Sequence, residues 1–433
     1  MGYKDVREWI QKVGEMGELK VIEGADWNLE IGAISVLASK HKENSPALLF
    51  DKIKDYPAGY RILVGFFESL KRSALTTNLP LDITREGFIQ AWRERLARPA
   101  SIPPRTVSTG PVMQNVIKGD DIDLFKFPVP FWHERDGGRY IGTGHVVITR
   151  DPDEDWVNVG CYRVMVHDRN SMGMNISPGK HGRMHRQKYF DRGKACPVVC
   201  CFGVDPLLHM IATRPEPYGK SEFDAVGGIK GEPVEVIDGE FTGLPIPAHA
   251  EIAIEGEFLP DQGKEEGPFS EWTGYYASGE KFEPLIKVHR LYHRNDPIIQ
   301  LRRNTGRRRA PSIAMNFCAP PIFATRWKKP ACRMSRRWRV IFADFSPSSR
   351  FASVIPATPV KRGWSPANVR ARRIWEDTWS WSMTISTPTI STMSFGPCVA
   401  GPTRWTPLRS CGATGAVLWI RSFRVNAKAS ARA

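Results

Sequence analysis

The segment 264–276 carries a residue pattern suited to acid–base chemistry. It reads KEEGPFSEWTGYY, and it places Glu265, Glu266 and Glu271 among aromatic residues. A carboxyl group packed against Phe269 and its aromatic neighbours loses solvation, and this loss raises its pKa towards the range of a general acid. The competing interpretation is a solvated acidic turn, and these residues alone leave both interpretations open.

A second segment, 155–175, places an arginine inside an apolar run. Side chains alternate between the two faces of a strand. The residues on one face would be Val157, Val159, Cys161 and Arg163, and those on the other Asn158, Gly160 and Tyr162. An arginine on an apolar strand needs a carboxylate or a ligand anion to compensate its charge. We therefore expect Arg163 to be paired.

Three weaker motifs have competing structural explanations. His181 and His185 have the i, i+4 spacing of a zinc pair, but the glutamate of an HExxH motif is missing, and an amphipathic helix with one buried histidine explains them as well. Ser221 and Glu222 are typical of a helix N-cap followed by an acid in the first turn. The Gly-Thr-Gly at 142–144 falls short of a phosphate-binding fingerprint.

These residues need a framework, and the periodicity of the chain predicts one. Helices are predicted at 4–18, 28–41 and 84–96 with strands at 47–53 and 60–67, an α/β module followed by a Pro- and Ser-rich linker at 99–111. Further helices are predicted at 181–193 and around 222–229. Apolar runs typical of strands lie at 140–149, 156–167, 197–204, 234–237, 250–258 and 284–292. Many strands with few helices favour a barrel-like antiparallel domain.

The amino-acid composition limits the classes of protein to which the chain can belong. The chain has 433 residues, 41% of them hydrophobic and 25% charged, values typical of a globular protein of two or three domains. No apolar run approaches the roughly 20 residues that span a bilayer. The first 30 residues lack the apolar stretch of a signal peptide, and the eight cysteines lack CxxC spacing. We expect a cytoplasmic protein with reduced thiols and no membrane partner.

The last third of the chain differs from the rest. Residues 301–433 hold 24 Lys and Arg against three acidic residues, and eight of the 14 Trp, but no His, Tyr or Gln. The net charge of this segment is +21, whereas residues 1–300 carry −6. A basic, Trp-bearing segment can bind nucleic acid through phosphates and base stacking. A disordered appendage is a second interpretation, although so many Trp are unusual in disordered chains.

Translation in a shifted reading frame is the third interpretation, and we favour it. When two nucleotides are dropped from the codons of 379–397, the new frame permits a Val-rich run that leads into Asp-Asp. The same shift of 351–363 permits Tyr-Pro-Gly-His-Ala. Both are more protein-like than the residues written, so we predict that 301–433 is aberrant and poorly folded.

Five segments in order along residues 1–300 resemble the UbiD family of prenylated-FMN-dependent decarboxylases: DGGRYIGTG, NVGCYR, the helix from His181, SEFDAVGG and EEGPFSEWTGYY. The shifted-frame reading of the tail resembles that family's C-terminal domain. The resemblance implies an N-terminal α/β domain with linker (1–110) and a flavin-binding split β-barrel (111–300), the remainder being aberrant. The fold class is therefore a multidomain α+β or α/β protein.

The resemblance also implies roles for individual residues. Arg163 and Glu266 would form the family's Arg–Glu ion pair, and Glu271 would be the proton-shuttling acid. Asn158, His181 and Glu222 would bind Mn²⁺ or Mg²⁺, with K⁺ as a further ion. The positions implied to bind prenylated FMN are Thr143, Asn158, Cys161, Tyr162, Arg163, His181 and Glu222.

The resemblance implies non-oxidative, reversible decarboxylation of an aromatic or α,β-unsaturated acid. It further implies a flavin prenyltransferase as supplier of the cofactor, and a homo-oligomer, which the aberrant tail puts in doubt. Three alternatives stay open: a catalytically dead remnant, a non-catalytic flavin-binding protein, and nucleic-acid binding through the tail. The sequence does not name the substrate.

Overall fold

The fold was analysed in a computed structural model of the 433-residue chain. The structure describes residues 2–40, 45–97, 100–214, 216–271 and 274–302, together with four short strand segments further along. The predictions made for the other residues of 303–433, including the shifted frame and nucleic-acid binding, lie outside the described residues, and so does Trp272.

Helices and strands alternate at first, and strands then dominate. The helices are α1 (Val6–Glu15), α2 (Glu30–Lys40), α3 (Leu70–Thr76), α4 (Arg85–Ala97), α5 (His181–Phe190), α6 (Pro206–Ala212) and α7 (Glu222–Lys230), with 3-10 turns at Pro111–Gln114, Gly119–Asp121 and Leu124–Lys126. The strands up to residue 175 are β1 (Leu19–Glu23), β2 (Ala47–Asp51), β3 (Arg61–Val64), β4 (Arg105–Thr106), β5 (Asn115–Lys118), β6 (Arg139–Gly142), β7 (Val146–Arg150), β8 (Val157–Gly160), β9 (Arg163–Asp168) and β10 (Ser171–Asn175). The later strands are β11 (Cys196–Phe202), β12 (Glu235–Asp238), β13 (Pro245–Pro247), β14 (Ile252–Glu266), β15 (Lys281–His293), β16 (Ile298–Leu301), β17 (Ala371–Ile374), β18 (Ser380–Met383), β19 (Trp405–Pro407) and β20 (Trp419–Arg421).

A four-stranded mixed sheet organises the first hundred residues. Its order is β1-β2-β3-β16, so the last strand before residue 302 returns to pair in parallel with β3. The helix α1 begins after Asp5, whose side chain accepts hydrogen bonds from the Arg7 and Glu8 backbone amides. Its apolar face buries Trp9 completely. Arg7 in turn hydrogen-bonds Glu251 at 2.8 Å, which ties this module to the barrel.

A nine-stranded sheet forms the centre of the chain. Its order is β6-β9-β10-β15-β14-β11-β7-β8, with β5 added at β15. The strands β8 and β9 are consecutive in the chain, yet β8 lies at one end of this order and β9 lies next to the other end. Only Cys161 and Tyr162 connect them. The sheet must therefore curl until its two ends meet, which gives a split barrel.

The split explains where the predicted strand at 156–167 was wrong. The alternation holds in β8 but breaks at Cys161 and Tyr162, after which Arg163 starts a strand that pairs with β6 and β10. Asn158 and Arg163 therefore lie on opposite sides of the split. The predicted combination of an α/β module with a β-rich barrel is confirmed. Up to residue 302, the elements that the sequence pattern missed are the strands β1, β4, β5, β10, β13 and β16 and the helices α3 and α6.

Residues 334–433 form a second compact unit. Its described parts are two antiparallel pairs, β17 with β18 and β19 with β20. In the part of the chain that the structure describes, no helix is both long and apolar enough to cross a membrane.

Candidate active site

Arg163, Glu266 and Glu271 meet on one side of the split, and we call them the carboxylate–arginine cluster. Arg163 begins β9, Glu266 ends β14, and Glu271 follows in the loop after β14. Arg163 Nε and Nη2 donate to the two carboxylate oxygens of Glu266, each at 2.8 Å. Arg163 Nη1 donates to Glu271 Oε1 at 2.5 Å. One guanidinium therefore fixes both carboxylates through charge-assisted hydrogen bonds.

Aromatic side chains shield the Arg163–Glu266 pair of this cluster from water, whereas Glu271 is partly exposed. Glu266 is completely buried, and the Glu271 side chain keeps 19% exposure. The Tyr140 hydroxyl donates to Glu266 Oε1 at 3.0 Å, and its ring packs on Phe269 with centroids 4.2 Å apart. Burial alone would lower the pKa of Arg163, but its hydrogen bonds and its attraction to Glu266 and Glu271 raise it. Arg163 is therefore a permanent cation here.

Asn158, His181 and Glu222 lie on the other side of the split, and we call them the Glu222 cluster. Glu222 opens α7, is 2% exposed, and accepts a hydrogen bond from the Val159 backbone amide at 2.7 Å. Asn158, the preceding residue, lies with its Nδ2 3.4 Å from the Tyr162 hydroxyl. That hydroxyl accepts from the Gly182 amide at 3.2 Å, one residue after His181. These contacts bring the Asn158 side chain and the backbone next to His181 to Tyr162, and they join the Glu222 carboxylate to β8. The His181 ring itself packs against Trp156 and Tyr218.

Burial is the main cause of the pKa shifts of Glu222 and His181 in the Glu222 cluster. Burial raises the pKa of Glu222 to about 8, although the Val159 amide opposes the shift. Arg214 also favours the charged carboxylate, but its guanidinium pairs with Glu216 at 2.9 Å. Burial and then Lys180 lower the pKa of His181, so its imidazole is neutral, as a metal ligand must be.

The remaining implied flavin positions lie beside the split. Thr143 follows β6, and its Oγ1 accepts from the Arg302 amide at 3.0 Å. Burial raises the pKa of Cys161 to about 11 and that of Tyr162 to about 12, so both are neutral at physiological pH. The thiol of Cys161 points to the Thr143 carbonyl at 3.9 Å. Thr143 and Cys161 are thus neighbours across the split.

The structure gives the weaker motifs structural explanations. His185 is completely buried, with Nδ1 3.0 Å from Thr149 Oγ1 and Nε2 3.6 Å from Asp151 Oδ2, and burial lowers its pKa to about 4. No group of three or more His, Cys, Asp or Glu that could hold a metal occurs within the described ranges. Ser221 occupies the N-cap position of α7, but its side chain makes no capping hydrogen bond.

Sequence reasoning missed two supporting residues, Tyr140 and Asp136. Both lie in the DGGRYIGTG stretch, but their partners are 126 and 134 positions away along the chain, at Glu266 and Ser270. The local pattern holds no signal for such partners. Covariation between the two stretches is the kind of signal that reveals long-range pairs.

Two family models match this chain. Residues 105–308 match the UbiD family, described as the 3-octaprenyl-4-hydroxybenzoate carboxy-lyase Rift-related domain, and residues 10–90 match the N-terminal domain of the same carboxy-lyases. A pyrrole-2-carboxylic acid decarboxylase of Pseudomonas aeruginosa is 36% identical over 306 residues, which is 69% of this chain and 61% of the relative. The chain thus spans less than two thirds of the length of that relative.

Solved structures agree with the same assignment. Vanillic acid decarboxylase of Sedimentibacter hydroxybenzoicus, in its closed form, has a TM-score of 0.68 and 29% identity over 73% of this chain and 67% of its own. An evolved dimeric form of the UbiD-class enzyme HmfF from Pelotomaculum thermopropionicum, in complex with prFMN, has a TM-score of 0.64 and 27% identity over 73% of this chain and 70% of its own. With both family domains matched in order and the split barrel in common, the chain belongs to the UbiD family.

Proposed function

We propose that this chain is a prenylated-FMN-dependent carboxy-lyase that removes CO₂ from a small aromatic or α,β-unsaturated acid. The observation that carries the proposal is the carboxylate–arginine cluster, in which one buried guanidinium holds two carboxylates 2.5–2.8 Å away beside the split. The decarboxylase names of the relatives support the same chemistry. The pyrrole and vanillic acids in those names favour an aromatic substrate.

The Glu222 cluster fits the phosphate end of the cofactor. One amide oxygen, one imidazole nitrogen and one carboxylate oxygen form a donor set for a hard or borderline cation such as Mn²⁺ or Mg²⁺. Glu222 is buried without an ion-pair partner among the described residues, and a cation would supply that partner. Asn158, His181 and Glu222 would hold the cation, which in turn would bind the phosphate. Because one of its three donors is an amide, this set is not a cluster of three His, Cys or acidic residues.

The flavin, when bound, supplies the electron sink on which decarboxylation depends. The chain supplies orientation and a proton. Arg163, held in one orientation by its bidentate contact with Glu266, would orient the substrate carboxylate through its guanidinium. Phe269 and Tyr140 shield the Arg163–Glu266 pair from water, which strengthens its electrostatic effect on the substrate.

Glu271 would deliver the proton after CO₂ has left. Its carboxyl is the more exposed of the two acids and so is the one that a substrate can reach, whereas Glu266 is completely buried beneath it. The Glu271 Oε that carries the proton would transfer it to the carbon atom that lost the carboxylate. Glu266 would then serve as a positioning residue for Arg163 rather than as an acid.

Partners follow from this proposal. A flavin prenyltransferase would supply the cofactor, and a homo-oligomer is in keeping with the dimeric form named for one structural neighbour. We also propose a cytoplasmic location, as the sequence led us to expect. The prenyltransferase and the homo-oligomer depend on the proposed decarboxylase function.

The test is direct release of CO₂. The full chain is co-produced with a flavin prenyltransferase, purified in the presence of Mn²⁺, and incubated with pyrrole-2-carboxylate, 4-hydroxybenzoate, vanillate and cinnamate. We expect CO₂ from at least one aromatic acid, and none from the same chain produced without the prenyltransferase. A chain that carries prenylated FMN and still converts none of these acids would contradict the proposal.

A further inference from the structure

A tight turn that precedes β6 packs against the loop that bears Glu271. The Gly137 amide donates to the Pro268 carbonyl at 2.7 Å. Backbone meets backbone so closely there that a Cβ on Gly137 would lie 1.9 Å from the Gly267 carbonyl oxygen. Only glycine permits this approach without a shift of the loop. The turn and the loop are therefore packed as one unit.

Asp136 is the side chain at the centre of this unit. It is 6% exposed, and its Oδ1 accepts the Ser270 amide at 2.9 Å while its Oδ2 accepts the His133 amide at 3.0 Å. The Tyr276 side chain also favours the charged form of the same carboxylate and so lowers its pKa. A buried carboxylate with two backbone amide donors is a rigid anchor, because the loss of either donor leaves its charge less compensated.

The anchor acts directly on the residue before Glu271. Ser270 forms a β-bridge with Tyr276, and the Glu271 amide donates to the Tyr275 carbonyl at 2.9 Å. Asp136 thus holds the Ser270 arm of this small loop directly, and the bridge from Ser270 ties the Tyr276 arm to it. The backbone of Glu271 is fixed from one side by Asp136, and its carboxyl group is fixed from the other side by Arg163.

We propose that Asp136 is a positioning residue for Glu271: by anchoring Ser270, which pairs with Tyr276, it sets where the Glu271 carboxyl group lies against Arg163. The inference rests on the proposed function for its catalytic meaning, but the positioning itself is a property of the folded chain. Displacement of an acid by about 1 Å costs up to about 100-fold in rate, so the anchor controls turnover without touching the substrate.

The experiment compares Asp136→Asn and Asp136→Ala with the full-length wild type. Asn keeps one acceptor oxygen and Ala keeps none, so the two variants form a graded series. The first readout is backbone hydrogen exchange in peptides that cover 267–276. The second is labelling of Glu271 by a water-soluble carbodiimide, read by mass spectrometry. Asp261→Asn, an exposed aspartate on β14, is the matched control.

We expect exchange in 267–276 and labelling of Glu271 to rise about tenfold in Asp136→Asn and further in Asp136→Ala, with α1 and α5 as protected as in the wild type and the control unchanged. In an active preparation, kcat falls about tenfold in Asp136→Asn with KM within twofold. Unchanged exchange or labelling overturns the inference, and so does an unchanged kcat despite faster exchange. A wild type that releases no CO₂ refutes the proposed function instead, while exchange and labelling still decide whether Asp136 positions Glu271.

Discussion

The two sides of the split bury carboxylates in opposite ways. Glu266 has no exposure and is matched by a bidentate arginine and a tyrosine hydroxyl. Glu222 is almost as buried, but its neighbours are a backbone amide and polar side chains, and its pKa rises to about 8. The buried carboxylate of the first cluster already has its cation within the protein, and in this sense that cluster is complete, whereas the buried carboxylate of the second calls for a cation. We infer that the folded chain already fixes the acidic residues of the carboxylate–arginine cluster in place. The Glu222 cluster, in contrast, is suited to accept a cation.

The largest effect is expected on catalysis at the complete cluster. Glu271→Gln keeps the shape of the side chain but removes its proton, so turnover falls by about 100- to 10 000-fold while flavin remains bound. CO₂ release and the flavin absorbance of the same sample measure the two properties. Glu265→Gln, an exposed glutamate beside Glu266, is the control and keeps full activity. Substantial residual decarboxylation in Glu271→Gln would remove Glu271 from its role.

The next largest effect is on stability, and it compares the two clusters through the same substitution, Glu to Gln, made in each. Without added metal at pH 7, Glu266→Gln lowers the free energy of unfolding by about 1–3 kcal/mol, because the buried Arg163 loses its bidentate partner and keeps only Glu271 as a charged one. Glu222→Gln changes it by less than about 1 kcal/mol, since a carboxyl with a pKa of about 8 is already mostly neutral at that pH. Urea unfolding followed by far-ultraviolet circular dichroism measures both. Equal losses would show that the two clusters do not differ in compensation.

A smaller effect concerns Asp136, whose contribution to the free energy of unfolding should depend on pH. Burial raises the pKa of Asp136 to about 6, against the opposing effect of its amide donors, Tyr276 and Arg163. The folded chain therefore takes up this proton at a higher pH than the unfolded chain, whose aspartate has a pKa near 3.8. The stability that Asp136 contributes is thus present at low pH and is lost as the pH rises through 6.

The corresponding measurement is the difference in free energy of unfolding between wild type and Asp136→Asn. From pH 7 to pH 5 this difference should shift in favour of the wild type by on the order of 1 kcal/mol. The same comparison with Asp261→Asn should show no such trend. A flat difference for Asp136→Asn would mean that the carboxylate does not titrate in this range.

The sequence revealed chemistry better than geometry. An arginine in an apolar run required a carboxylate, and Arg163 indeed lies between two. The same run was predicted as one strand, because nothing in its alternation reveals that Cys161 and Tyr162 cross from one end of the sheet to the other. That crossing depends on the closure of nine strands, which is a property of the whole barrel.

Short or exposed elements also escaped prediction. The strand β1 has no fully buried residue, so its pattern lacks the apolar alternation that marks a strand. The helix α3 has only seven residues, too few for a helical period to emerge. Asp136 was missed because a buried aspartate in a turn has the same local pattern as an exposed one, and only its distant partner Ser270 distinguishes the two.

The most direct test of the contrast between the clusters is flavin binding with and without Mn²⁺. Quenching of FMN fluorescence is titrated with the full-length wild type, Glu222→Gln and Glu266→Gln. We predict that the wild type and Glu266→Gln bind FMN much more tightly when Mn²⁺ is present, and that Glu222→Gln loses this dependence. Binding that is independent of Mn²⁺ in the wild type, or an equal loss in both variants, would contradict the division of the site into a complete cluster and an open one.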